Sequence, residues 1–289
     1  MFNSYPAKFI LVLFLITIVY SCQKDLNWTD ALNSRGDSTL IQKIISLDTT
    51  LPAGQDTVET SLYEYDMQDR LKRLTINFFP GFTPIDIYEY QYNGTDTLPY
   101  WYSAVNHGSA DSISTFLSYS NGFIVKDSSR VFRASQLDQV FVSRYSAAGP
   151  NKYIYTLYVT DIASGNTYII DSTRYTRIVN NGNVLSRADS TWRHGIFFNT
   201  KSCHQTFDNK NSPFSKKALW ALGYFGNGFD LTLLEGTNNI TLASEAYFNQ
   251  PPVDFTYSYD YNSGNFPSVC RISSPGGTDI NKMIFQYLP

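Results

Sequence analysis

An aromatic residue followed by a polar one, just ahead of a turn, returns along this chain at nearly constant spacing, and this periodicity constrains the fold more than any other feature. The junctions fall at Tyr65 and Asp66, Tyr92 and Asn93, Tyr119 and Ser120, Tyr145 and Ser146, Tyr175 and Thr176, Phe207 and Asp208, and Tyr259 and Asp260. Successive intervals are 27, 27, 26, 30 and 32 residues before one longer gap. Two strands of about ten residues plus two turns fill such a period, so each repeat reads as one β-hairpin and the series as an antiparallel meander. The clearest unit runs from Phe255 to Ile272. Tyr257, Tyr259 and Tyr261 alternate with Ser258 and Asp260, the two-residue period of a strand with one aromatic and one polar face. Asn262, Ser263, Gly264 and Asn265 supply the turn, because Gly and Asn adopt positive φ at little cost, and Val269, Arg271 and Ile272 start the return.

The expected fold class is therefore all-β: one domain over 40–289, an antiparallel meander of twelve to sixteen strands curled into an open or closed β-barrel. Aromatic and charged residues each make up 16% of the chain, a mixture that suits strands displaying Tyr and Thr better than helices displaying Lys and Glu. A membrane-embedded barrel is the alternative, and it needs a consistently apolar outward face. The segment Ile85 to Tyr92 puts Ile85, Ile87, Glu89 and Gln91 on one face and Asp86 on the other, which argues against it. One short helix is expected at 213–225. Ser212 can cap it, Pro213 suits its first turn, Phe214, Ala218, Leu222 and Phe225 share a face, and Gly223, Gly226 and Gly228 end it.

Near the beginning, Lys8 precedes an apolar run from Phe9 to Val19 that is too short to cross a hydrocarbon core of about 30 Å, so residues 1–21 read as a signal peptide. The polar stretch 22–39 reads as a tether. Val19 to Cys22 resembles the bacterial lipobox, with Tyr20 bulkier than the pattern prefers. The resemblance implies an acylated Cys22, and with it a membrane as partner through N-terminal acyl chains. Arg35, Gly36 and Asp37 spell an adhesive tripeptide, a match too short to carry weight.

YEYDMQDRL, from Tyr63 to Leu71, and YSYDYNSGNFPSVCRI, from Tyr257 to Ile272, both resemble the Y-x-Y-D, short turn, apolar pattern of YD-type (Rhs-like) repeats. Together with the lipobox, residues 58–287 resemble a family of exported bacterial lipoproteins of unknown function. That resemblance implies a porin-like antiparallel β-structure held at the cell outer membrane of Gram-negative cells.

Few residues suggest chemistry. The net charge is −3 and Lys and Arg are not clustered, so nucleic acid is not an expected partner. HExxH, paired CxxC, P-loop and GxGxxG patterns are absent from the sequence, so no cofactor, metal ion or catalytic residue is assigned. Cys203 and His204 are adjacent, and in a strand they would point to opposite faces. Cys203 and Cys270 form an even exported pair, yet two strands should separate them. The reading thus favours two buried thiols over a disulfide. Asp260, Asn262 and Asn265 resemble half of a calcium loop without its closing Glu, and turn formation is the simpler role. Trp192 and Trp220 read as packing residues.

The candidate ligand-binding cluster is Tyr100, Trp101 and Tyr102 after Pro99, near Asn93 and Asp96. Flat aromatic faces can stack on sugars while amides and carboxylates bond hydroxyls; a cross-strand aromatic ladder explains the same residues. The expected function is that of a lipid-anchored, non-catalytic envelope protein presenting a curved β-surface, with a glycan or another envelope protein as candidate ligand. The alternatives are a secreted hydrolase acting on polysaccharide or lipid, and a purely structural envelope component.

Overall fold

The structure is a computed structural model, and it describes residues 40–79, 85–106, 111–120, 123–149, 152–161, 165–180, 183–213, 237–247 and 249–288. Among the described residues sixteen strands follow one another. The first six are β1 (Ile41–Asp48), β2 (Thr57–Tyr65), β3 (Leu71–Phe78), β4 (Ile85–Gln91), β5 (Trp101–Asn106) and β6 (Ser112–Ser120). Six longer ones come next: β7 (Phe123–Arg133), β8 (Gln136–Gly149), β9 (Lys152–Asp161), β10 (Thr167–Asn180), β11 (Asn183–Arg193) and β12 (Ile196–Asn211). The last four are β13 (Asn238–Tyr247), β14 (Val253–Tyr261), β15 (Pro267–Ser273) and β16 (Asp279–Tyr287). Each pairs antiparallel with its sequence neighbours, and β1 closes on β16 through pairs such as Ile44 with Phe285 and Ser46 with Met283, so the meander is a closed barrel. Closure leaves no strand edge unpaired.

The hairpin periodicity holds strand by strand. The seven sequence junctions lie on, or within two residues past, consecutive even-numbered strands from β2 to β14, and always toward the end at which those strands finish. All the chain reversals that follow even strands therefore gather at one rim, here the tyrosine rim, and those that follow odd strands gather at the far rim. The chain also enters the barrel at the tyrosine rim, where Leu288 donates its backbone N–H to the Leu40 carbonyl at 3.0 Å.

Cross-strand register separates two faces. Ile44, Tyr63, Leu74, Tyr88, Tyr90, Tyr102, Leu117, Cys203, Ala243, Tyr257, Cys270, Met283 and Phe285 share one face and form a continuous buried cluster along β1–β6 and β12–β16. A closed sheet can bury only its inner face by itself, so this face is the interior. The opposite face carries exposed Leu62, Val105 and Phe116 beside charged side chains. Ile45, Leu47 and Ile284 form a smaller buried cluster on that outer side of the β1–β16 closure.

Cys203 on β12 and Cys270 on β15 are both buried and free, with β13 and β14 between them, as the strand count requires. The helix expected at 213–225 lies outside the described residues except for Pro213, which sits in a turn, and no helix occurs among the described residues. Cys22, the 1–21 and 22–39 segments, His107 and Trp220 also lie outside them.

Candidate functional site

The repeats carry their most regular chemistry at the tyrosine rim. Tyr65, Tyr92, Tyr119, Tyr259 and Tyr287 each donate their hydroxyl to a main-chain carbonyl 19–24 residues earlier: Ile41, Leu71, Pro99, Ile240 and Pro267, at 2.7–2.8 Å. In every case the donor ends an even strand and the acceptor lies at or near the start of the odd strand paired with it. The hydroxyl thus staples the open end of its hairpin. Burial pushes these phenols well above their ordinary range, so they stay protonated and able to donate.

The turns at this rim are built alike in the two best-matching repeats. Asp66 Oδ1 accepts from the backbone N–H groups of Gln68 and Arg70, two and four residues on, and Asn262 Oδ1 accepts in the same way from Gly264 and Phe266. Asp69 and Asn265 occupy the left-handed position at φ 58° and 61°. Asn262 therefore plays the part of Asp66. Asp260, which the sequence pattern aligns with Asp66, lies two residues earlier and pairs with Arg271 across the strand at 2.6 Å. The half calcium loop is accordingly a turn and an ion pair. Arg70 links one repeat to the next: it donates to the Gly94 and Asp96 carbonyls at 2.6 and 3.1 Å, pairs with Asp66 at 2.7 Å, and lies 4.5 Å over the Tyr92 ring.

Strand alternation divides the aromatic cluster at 100–102. Tyr102 points inward, is buried, and stacks on Tyr90 at 6.0 Å, so it belongs to the core. Trp101 takes the outer face and donates its indole N–H to Ser114 Oγ at 2.8 Å, and Tyr100 bonds Gln91 at 2.8 Å. Tyr100 and Trp101 are the members that remain outside.

A second polar group, which the sequence reading did not find, lines the interior on β11–β13. Register places Arg187, Cys203 and Glu245 side by side, with Asp189, Lys201 and Tyr247 on the next rung. Charges alternate across this patch. Arg187 pairs with Asp189 at 2.7 Å and Lys201 with Glu245 at 3.0 Å, while Lys201 lies 5.3 Å from the Tyr247 ring centroid. One rung further, Gln205 is only 6% exposed, and neither of its amide atoms, nor Asp189 Oδ1, has a hydrogen-bond partner among the described residues. Only the alternation of odd-numbered residues from 187 to 205 hinted at this wall. Pairing of inward charges depends on strand register, which the sequence pattern left undetermined.

Across the barrel, Glu59 on β2 and Asp86 on β4 face inward, Glu59 half-buried and Asp86 buried. Desolvation raises the Glu59 carboxyl above the ordinary glutamate range, a Ser61 hydroxyl donating at 2.8 Å opposes that shift, and nearby Asp86 adds to it. His204 lies on the outer face and His194 in an exposed turn, so neither meets these carboxylates, and Cys203 and His204 point apart as alternation demands. Among the described residues no group of His, Cys, Asp and Glu is arranged to hold a metal ion. The small cavity bounded by Ser212, Asn239, Tyr259, Cys270 and Phe285 has a volume of about 10 Å³, room for about one water molecule. Its floor is apolar, and burial pushes the Cys270 thiol there up to about 12.

These features define a class: a closed sixteen-stranded antiparallel barrel with an aromatic interior, stapled hairpins and a charged exterior. Solved structures with a similar fold include porin-like proteins. One from Bacteroides vulgatus ATCC 8482 superposes with a TM-score of 0.53 at 9% identity, covering 86% of this chain and 99% of that one. Another, from Bacteroides uniformis ATCC 8492, gives 0.50 at 13% identity, covering 87% and 98%. At such identities the likeness is one of fold. No family model matches the chain, and no curated protein does.

Proposed function

We propose that this chain is a non-catalytic cell-envelope protein, a porin-like barrel that stands outside the bilayer core and is held at the outer membrane by acyl chains on Cys22. The observation that carries this reading is the outer face. Arg73 bridges Glu64 and Glu89 there at 3.8 and 2.5 Å, and Arg271 meets Asp260. Further round, Arg130, Arg144 and Arg174 lie over Phe116, Tyr158 and Trp192 at 5.9, 5.2 and 5.1 Å. In a lipid belt each such arginine would cost ~2–4 kcal/mol at mid-depth. A barrel with this exterior needs another means of staying on a membrane. The chain enters at the tyrosine rim, so a tether over 22–39 would hold that rim toward the bilayer and leave the β-surface free to bind.

The finer reading is glycan binding on the outer face at Trp101, beside Tyr100, where a flat ring is bordered by hydroxyl and amide groups. Radiolabelled palmitate fed to expressing cells should mark the protein and fail to mark Cys22→Ala; label retained by that variant would defeat the anchor. Glycan-array binding that is lost in Trp101→Ala supports the surface role, and an array on which the two proteins behave alike removes it.

A further inference from the structure

We infer that the inward wall of β11–β13 is a binding crevice for an uncharged saccharide, open at the far rim. Exposure rises toward that rim along β12 and β13. Gln205 is 6% exposed and Glu245 8%, whereas nearer the rim the Lys201 side chain reaches 24% and Tyr247 44%. Arg187 and Asp189 form the more deeply set β11 side. The crevice thus has its floor at Gln205, beside the buried cluster that holds Ala243, and its mouth at Tyr247.

The hydrogen bonds that the wall leaves unmade select the occupant. Arg187 directs two donors at Asp189 Oδ2, at 2.8 and 2.7 Å, while Asp189 Oδ1 and both amide atoms of Gln205 have no partner among the described residues. Ala243, the register neighbour of Gln205 on β13, has no polar side-chain atom to offer. Folded interiors seldom leave such atoms unserved. The free capacity is two acceptors, Asp189 Oδ1 and Gln205 Oε1, and one amide donor, Gln205 Nε2. Hydroxyl groups answer all three, because each one both donates and accepts. The charges on the wall are paired with each other, Arg187 with Asp189 and Lys201 with Glu245, so it offers hydrogen bonds rather than a net charge. Asp189 stands opposite Lys201, four residues from Gln205, which puts the two rungs ~13 Å apart along the strands and suits linked sugar rings better than one. At the mouth, the half-exposed Tyr247 ring supplies a flat face for the apolar side of a sugar. A peptide read through its backbone would need a free strand edge, and the closed sheet has none. Water serves such polar atoms when no ligand is bound, and ligand hydroxyls replace it with like geometry. Trp101 lies on the outer face and takes no part, so this site stands apart from the surface glycan reading.

The test is isothermal titration calorimetry on the full chain in a Cys22→Ser background, with uncharged tetrasaccharides of the malto, cello, xylo, manno and chito series. At least one should bind. Gln205→Met should weaken that binding by at least about tenfold, which corresponds to about 1.4 kcal/mol, while Trp101→Ala leaves it unchanged. Because Gln205→Met removes an unpartnered buried amide at equal chain length, its thermal midpoint should match or exceed the parent's. A midpoint well below the parent's makes Gln205 a structural residue, served by buried water alone, and overturns the inference. So does the absence of binding by every sugar in the panel. Binding that survives Gln205→Met and is lost in Trp101→Ala belongs to the outer face, which also overturns it while upholding the surface reading. Tighter binding of tetragalacturonate, or of an uncharged tetrapeptide, would hand the crevice to an anion or a peptide instead.

Discussion

At the scale of single residues, the interior shows how environment decides what an ionisable group contributes. Glu59 and Asp86 are acidic residues of ordinary appearance in sequence, and only burial couples them. Because the native state raises the Glu59 carboxyl, the protonated form is the favoured one. Its stabilising contribution is complete below the ordinary glutamate value and is lost as pH rises through the raised one, which leaves a half-buried charge above it. Glu59→Gln keeps an acceptor for the Ser61 hydroxyl and removes that charge. Thermal unfolding should therefore give matching midpoints for the two proteins at pH 4 and a higher midpoint for the variant at pH 8, with each kcal/mol worth about 2–4 °C. A variant less stable at pH 8 would contradict the assignment. Asp66 sits in the opposite situation. Desolvation is the largest single influence and pushes it up, but the Arg70 backbone N–H, its guanidinium and the Gln68 N–H together outweigh that and hold it below the usual carboxylate range.

At the scale of elements, the hairpin is the unit of construction and the tyrosine at its open end is the fastener. A staple that recurs at 19–24 residues is a repeat signature written in hydrogen bonds rather than in residue identity. Tyr92→Phe removes one donor while preserving the ring beneath Arg70. It should lower stability by about 1 kcal/mol, read by urea unfolding, with little change in the slope of the transition. The turns made this construction partly legible in the sequence: Asp66 and Asn262 are residues whose short side chains mimic a backbone turn. The alignment of Asp260 with Asp66 failed because the repeated Tyr-polar pattern of YSYDYN also fits two residues out of step: Asp260 falls at the place of Glu64, just before the same register shift, and register is not written in residue type. The same limitation hid the Arg187, Asp189, Lys201 and Glu245 wall.

At the scale of the whole molecule, closure is what the repeats achieve together. The β1–β16 seam buries Ile41, Ile44, Ile45, Ile284 and Phe285, each under 3% exposed. A chain ending after Ser274 would lose β16 and uncover β1 and β15 as long edges. Such edges template pairing between chains, so size-exclusion chromatography should show the truncated protein as aggregates while the full chain elutes at its native size. A monomeric, folded truncation would mean that the seam is dispensable. The outer face also belongs to this scale, since its charges, spread round the ring, are what support the proposed place outside the bilayer core.

The order of strands, their antiparallel sense and their hairpin grouping followed from the sequence alone, because a two-residue period and positive-φ turn residues act over a few positions and need no distant partner. The number of strands, the ring closure through Ile44 and Phe285, the inward turn of Tyr102 away from Trp101, and the ion pairs along β11–β13 were decided only by tertiary structure. These depend on register and twist summed around sixteen strands, where one bulge moves every later contact, and a local pattern carries no record of that sum.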